Sequence, residues 1–84
     1  MIYTLAIQDE GQFDHQELGR ELSLEGARMM VEEIVADMEA TKLGDYPLDQ
    51  ARADLDMDGE FIEAARYTID PEDGWTLIAI VKTY

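Results

Sequence analysis

The sequence predicts a single α+β domain, a two-layer ββα(α)ββ arrangement in which an antiparallel sheet carries one long helix on one face. Three observations predict it. Strand-like alternation occupies both ends of the 84-residue chain, one apolar stripe at helical spacing runs through residues 23–42, and strong turn chemistry at 70–74 separates two final strands. No internal repeat, low-complexity stretch or linker divides residues 1–84.

The first strand spans 2–8, with Tyr3, Leu5 and Ile7 on one side and Ile2, Thr4, Ala6 and Gln8 on the other. Asp9-Glu10-Gly11-Gln12 is a turn, and a weaker strand, roughly 15–22, returns from it. Ser23 is placed to cap the helix, with Glu25 near the positive end of its dipole and Lys42 near the negative end. Leu24, Ala27, Val31, Ile34, Val35 and Met38 recur at three- and four-residue steps and form the buried stripe, and Leu43-Gly44 reads as the stop. Pro47, Leu48, Ala51 and Leu55 suit one or two turns of a second helix, with a structured loop as the alternative.

Residues 61–69 alternate as a strand. Asp70-Pro71-Glu72-Asp73-Gly74 turns the chain, because proline sets φ and glycine accepts a left-handed conformation. Residues 75–84 form the last strand, apolar on both sides from Leu77 to Val81, which places it in the sheet centre. With one helix on one face, the other face exposes either Thr4, Thr68, Thr76 and Lys82 or the Tyr3, Tyr67 and Trp75 set. An exposed aromatic set would need a dimer or a partner to cover it.

Charge separates this chain from most small domains. Twenty Asp and Glu against six Lys and Arg give a net charge of −14. That balance argues against direct binding to nucleic acid or to anionic lipid, since both require positive charge facing phosphate. Cysteine is absent, which removes disulfides, thiolate catalysis and zinc–sulfur sites. One histidine (His15) and one serine (Ser23) leave no material for a Ser-His-Asp triad once Ser23 caps the helix. Residues 1–7 are too short an apolar run for a secretory leader, and no run approaches the roughly 20 apolar residues of a membrane span. Carboxylate pairs are inevitable at this composition, and catalysis needs a desolvated pocket that a domain this small hardly holds. The expectation is a soluble, cytoplasmic, non-enzymatic protein without a cofactor.

Three constellations carry the remaining information. Asp54, Asp56 and Asp58 alternate before Gly59, as at the opening of a calcium loop, but the twelfth position, which should be a bidentate Glu, is Ala65. The segment reads as an acidic loop entering a strand, with weak divalent-cation binding by Asp54, Asp56 and Asp58 as the minor alternative. Glu25, Glu32 and Glu39 lie seven apart on the predicted helix, each about 10 Å from the next along the axis, a row of charge that resembles phosphates. Asp45, Asp49, Asp54, Asp56, Asp58 and Glu60 form a denser field in the connection, opposed by Arg52 alone. Met29 and Met30 are adjacent, so one of them, Met29, faces the acidic side, where a methionine makes an adaptable contact. His15 is expected to be exposed.

Gly19-Arg20-Glu21-Leu22, Leu24-Glu25-Gly26-Ala27-Arg28 and Asp58-Gly59 resemble the pattern of a family of small bacterial ββαββ domains of unknown function. In size and acidity the chain also resembles small phage-encoded inhibitors of the anti-CRISPR and DNA-mimic type. That second resemblance implies a protein that acts in the cytoplasm of a phage host, bound to the basic, nucleic-acid-contacting surface of another protein and occluding it. The connection Asp45, Asp49, Asp54, Asp56, Asp58 and Glu60 is then the main contact, with Glu25, Glu32, Glu39 and Met29 secondary. A homodimeric structural or accessory domain, whose acidity serves solubility, is the alternative.

Overall fold

The computed structural model describes residues 1–83. Tyr84, the last residue of the predicted final strand, lies outside the described residues. In chain order the elements are β1 (Ile2–Asp9), β2 (Gln16–Glu21), α1 (Leu24–Asp37), β3 (Thr41–Asp45), α2 (Leu48–Leu55), β4 (Glu60–Thr68) and β5 (Thr76–Thr83). A single 3₁₀ turn, Pro71–Asp73, closes the β4–β5 hairpin. The Asp70 carboxylate accepts the Glu72 N–H at 3.0 Å, and the Asp73 N–H bonds the Asp70 carbonyl at 2.9 Å, so the predicted turn forms where Asp, Pro and Gly place it.

Among the described residues the sheet is five-stranded and antiparallel, in the order β2-β1-β5-β4-β3. β5 is central, as its apolar run predicts. The fold class is α+β, but the predicted ββα(α)ββ order lacks one strand. Residues 41–44, read as the end of the long helix and its stop, belong with Asp45 to β3, which pairs with β4. The helix ends early because Glu39 turns left-handed, at φ 55°. The Glu39 N–H bonds the Ala36 carbonyl and the Ala40 N–H bonds the Val35 carbonyl, the two hydrogen bonds of a Schellman ending. Glycine usually marks that ending in a sequence, and here the position holds glutamate. Lys42 is therefore in β3 and not at the dipole's negative end. The other end of α1 is as predicted, with the Ser23 hydroxyl accepting the Gly26 N–H at 3.0 Å.

The layering also departs from expectation. Leu77, Ala79 and Val81 of β5 pack in one core cluster with Ala51 and Leu55 of α2, whereas Ile80 packs in a second cluster with Ala27 of α1. Neighbouring side chains on a strand point to opposite faces. The two helices therefore cover opposite faces of the sheet, making three layers where two were predicted. Neither set of residues expected on a bare face is found together. Thr4 and Thr68 are buried, Tyr3 packs toward α1, and Trp75 packs toward α2.

Both edge strands are irregular. The β1–β2 register slips opposite Leu5 and Ala6, leaving Leu18 unpaired, and the β3–β4 register slips between Lys42 and Gly44, leaving Leu43 unpaired. Bulges at an edge hinder its pairing with a strand of another chain.

Candidate functional site

On the α2 side of the sheet a groove of about 490 Å³ opens between the helix and the β1–β2 loop. Gln50, Ala53 and Asp54 of α2 form one wall, residues 11–13 of the loop form the other, and Leu77, Trp75 and Tyr46 line the base. Chain geometry places each part. Tyr46 is held by its backbone N–H to the Ala64 carbonyl at 2.8 Å, immediately before Pro47 starts α2. The loop is tied at both ends. Gln8 Nε2 donates to the Gln12 carbonyl at 2.9 Å, and His15 Nδ1 donates to the Leu55 carbonyl at 2.8 Å. His15 is thus half-buried and structural, a correction to its expected exposure. Between these ties Phe13 stands 94% exposed at the groove's lip.

The polar groups of the groove are oriented by their neighbours. The Tyr46 hydroxyl donates to Asp54 Oδ2 at 2.5 Å, and Gln50 Nε2 donates to Asp54 Oδ1 at 2.9 Å. Asp9, on the groove's margin, accepts the Thr76 hydroxyl at 2.7 Å. Arg66 reaches from β4 and lies over the Tyr46 and Trp75 rings at 5.6 and 5.7 Å, a pair of cation–π contacts. Among the described residues no lysine or arginine lines the groove itself.

The hydrogen bond to Asp54 raises the Tyr46 hydroxyl pKa, burial and the Asp54 charge add to the rise, and Arg66 opposes it. A folded-state pKa above the unfolded one means that the neutral hydroxyl's stabilisation is complete below about pH 10 and is lost as pH rises through the folded value. Tyr46→Phe is expected to lower stability by about 1 kcal/mol at pH 7. The gap between variant and wild type should then narrow above about pH 10. Urea unfolding at pH 7 and pH 10.5 measures both effects, and a gap that is constant with pH would show that the Tyr46–Asp54 bond does not hold the hydroxyl neutral.

The structure scatters the residues singled out in the sequence. Glu25 and Glu32 are exposed on α1 with Met29 between them, 56% exposed, but Glu39 lies beyond the helix end and leaves the predicted row. That helix is on the opposite side of the sheet from the connection, so the two acidic zones cannot meet one flat partner together. Within the connection, Asp45 is paired with Lys42 at 2.8 Å and Glu60 with Lys82 at 3.8 Å. Asp54 serves Tyr46 and Gln50, while Asp49, Asp56 and Asp58 are exposed and without an ion pair among the described residues. Asp56 caps α2 in the left-handed region, at φ 50°. Among the described residues no three His, Asp or Glu side chains gather as a metal site.

Two features were missed. Pairing of β1 with β5 brings the Asp9-Glu10 turn beside the 70–74 turn, and Asp9, Glu10, Asp70 and Asp73 share a cavity of about 270 Å³ at that end of the sheet. The available signal was that both turns are acidic; that they meet is set by the β1–β5 pairing. Phe13 carried no signal, because a lone aromatic in a polar loop has no periodicity. On the α1 side, the area over β3 and β4 that α1 leaves open forms a groove of about 380 Å³. Its charged residues Lys42 and Glu63 are already paired, with Asp45 and Arg28.

Among the described residues no helix is long and apolar enough to cross a membrane. Comparison with protein-family models, with curated proteins and with solved structures yields no match.

Proposed function

We propose that this chain is a non-enzymatic acidic interaction protein that binds the basic, nucleic-acid-contacting surface of a protein partner and occludes it, using the α2 side of its sheet. The observation that carries the reading is Phe13, 94% exposed at the lip of a groove lined by carboxylates, with no lysine or arginine among its described lining residues and with Arg66 behind the Tyr46 and Trp75 rings. An apolar anchor beside negative charge suits an interface in which charge steers the encounter and the anchor prolongs the complex. Asp49, Asp56 and Asp58 extend that field on the same side. Glu25, Glu32 and Met29 lie across the sheet and outside this contact.

The test is affinity capture from the cells in which the chain is expressed, followed by kinetic measurement on the purified partner. Asp49, Asp56 and Asp58 are reversed to Lys in one variant, and Glu25, Glu32 and Glu33 in a second with the same change in net charge. The first set should slow association by about tenfold or more, and the second by about threefold or less. Equal losses would reduce the effect to bulk charge, and no loss in either would end the reading.

A further inference from the structure

We propose that the groove beneath Phe13 is a guanidinium pocket that receives an arginine side chain of the basic partner. The inference rests on the acidic-interaction reading and adds the chemistry of the anchor on the other side. Its parts are three aromatic residues, Phe13, Tyr46 and Trp75, and two carboxylates, Asp9 and Asp54, with no cation among the lining residues. A groove of this composition favours an organic cation, which gains from the carboxylates in a partly desolvated place and stacks its flat surface on a ring.

The carboxylates are pre-set. Tyr46 and Gln50 each donate to a different oxygen of Asp54, which fixes its plane, and Thr76 holds one oxygen of Asp9. Each oxygen has a second lone pair for an incoming donor. Gln12 and His15 pin the loop on either side of Phe13, so the ring is presented on backbone that is already ordered. Arg66 lies over Tyr46 and Trp75, which shows these rings accommodating a guanidinium from within the chain and leaves Phe13 as the open stacking surface. Arginine is favoured over lysine because a planar, weakly hydrated fork can meet carboxylates at its edge and a ring on its face together.

The probe is N-acetyl-arginine methylamide, titrated into the full chain and followed by amide and indole signals in NMR. The neutral isostere N-acetyl-citrulline methylamide and the corresponding lysine compound are the controls. The arginine probe should shift the Trp75 indole, the Gln50 side-chain amide and backbone signals of residues 9–13 in a saturable way, and the citrulline probe should not. Asp54→Asn should weaken it about tenfold, the loss of one charge-assisted bond. Phe13→Ala, a truncation at an exposed position that leaves the core untouched, should also weaken it. Shifts spread over all carboxylates, or unchanged by both variants, would overturn the pocket, and a lysine probe of equal affinity would overturn the choice of guanidinium. If the probe leaves the groove unmoved while the α2-side reversals still abolish partner capture, the pocket falls and the acidic-interaction reading stands. If the probe saturates the groove while those reversals do nothing, the pocket stands and that reading falls.

Discussion

Leu55→Ala is expected to lower the unfolding free energy by about 3 kcal/mol, the middle of the range for truncating a buried leucine. Leu55 is 1% exposed and packs with Phe61, Leu77 and Val81, so the shortened side chain leaves a void that neither the helix nor the sheet can readily close. Against a total stability of about 5–15 kcal/mol for a small domain, that loss is large. In a chain of this length it corresponds to a fall in Tm of roughly 15 °C. Trp75 belongs to the same cluster and is the only tryptophan, so its fluorescence during urea unfolding reports the relevant packing. Leu48→Ala, on the same helix but 40% exposed, supplies the comparison and should cost less than about 1 kcal/mol. The pair separates the two layer arrangements. In a two-layer domain with a bare second face, both leucines would lie on a loosely held connection and both truncations would be mild. A loss under about 1 kcal/mol at Leu55 would take α2 off the sheet.

Gly59→Ala is the second large effect. Gly59 has φ 125°, and a Cβ there would lie 2.7 Å from Val81 Cγ1 and 2.9 Å from the Lys82 carbonyl oxygen. A side chain could move aside, but the carbonyl belongs to the central strand and is held by its ladder. Backbone strain and overpacking each cost about 1–3 kcal/mol, so a combined loss of about 3 kcal/mol is expected. Gly11→Ala isolates the strain, because φ is 84° there and nothing lies within 4 Å of the added carbon; it should cost about 1 kcal/mol. Urea unfolding of both variants checks the ordering, and equal losses would show that the approach to β5 is not tight. The same glycine, read from spacing alone, stood at the sixth place of a calcium loop. In the folded chain its reason is the neighbouring strand, and the aspartates around it serve Tyr46, cap α2 or face solvent.

What the residues determined by themselves was local. Ser23 caps a helix because its hydroxyl is two covalent bonds from the backbone it must serve. The 70–74 turn follows from the allowed φ of proline and glycine. Met30 faces inward and Met29 outward because adjacent helical positions differ by about 100°. The run from Leu77 to Val81 placed β5 at the centre of the sheet, and it also held the third layer: a strand apolar on both faces needs cover on both.

The tertiary structure decided the rest. Thr41-Lys42-Leu43-Gly44-Asp45 has neither alternation nor β-branched density, and it becomes a strand only because β4 offers an unpaired edge beside it. The helix before it ends on a glutamate, a residue that carries no stop signal. The groove beneath Phe13 draws on residues from 8 to 77, brought together by the β1–β5 pairing and by α2 crossing the sheet. The charge count was legible, but its arrangement was not. Which carboxylate meets a cation, which one orients a tyrosine and which stays free depends on separations through space, and electrostatic energy follows those distances rather than positions along the chain.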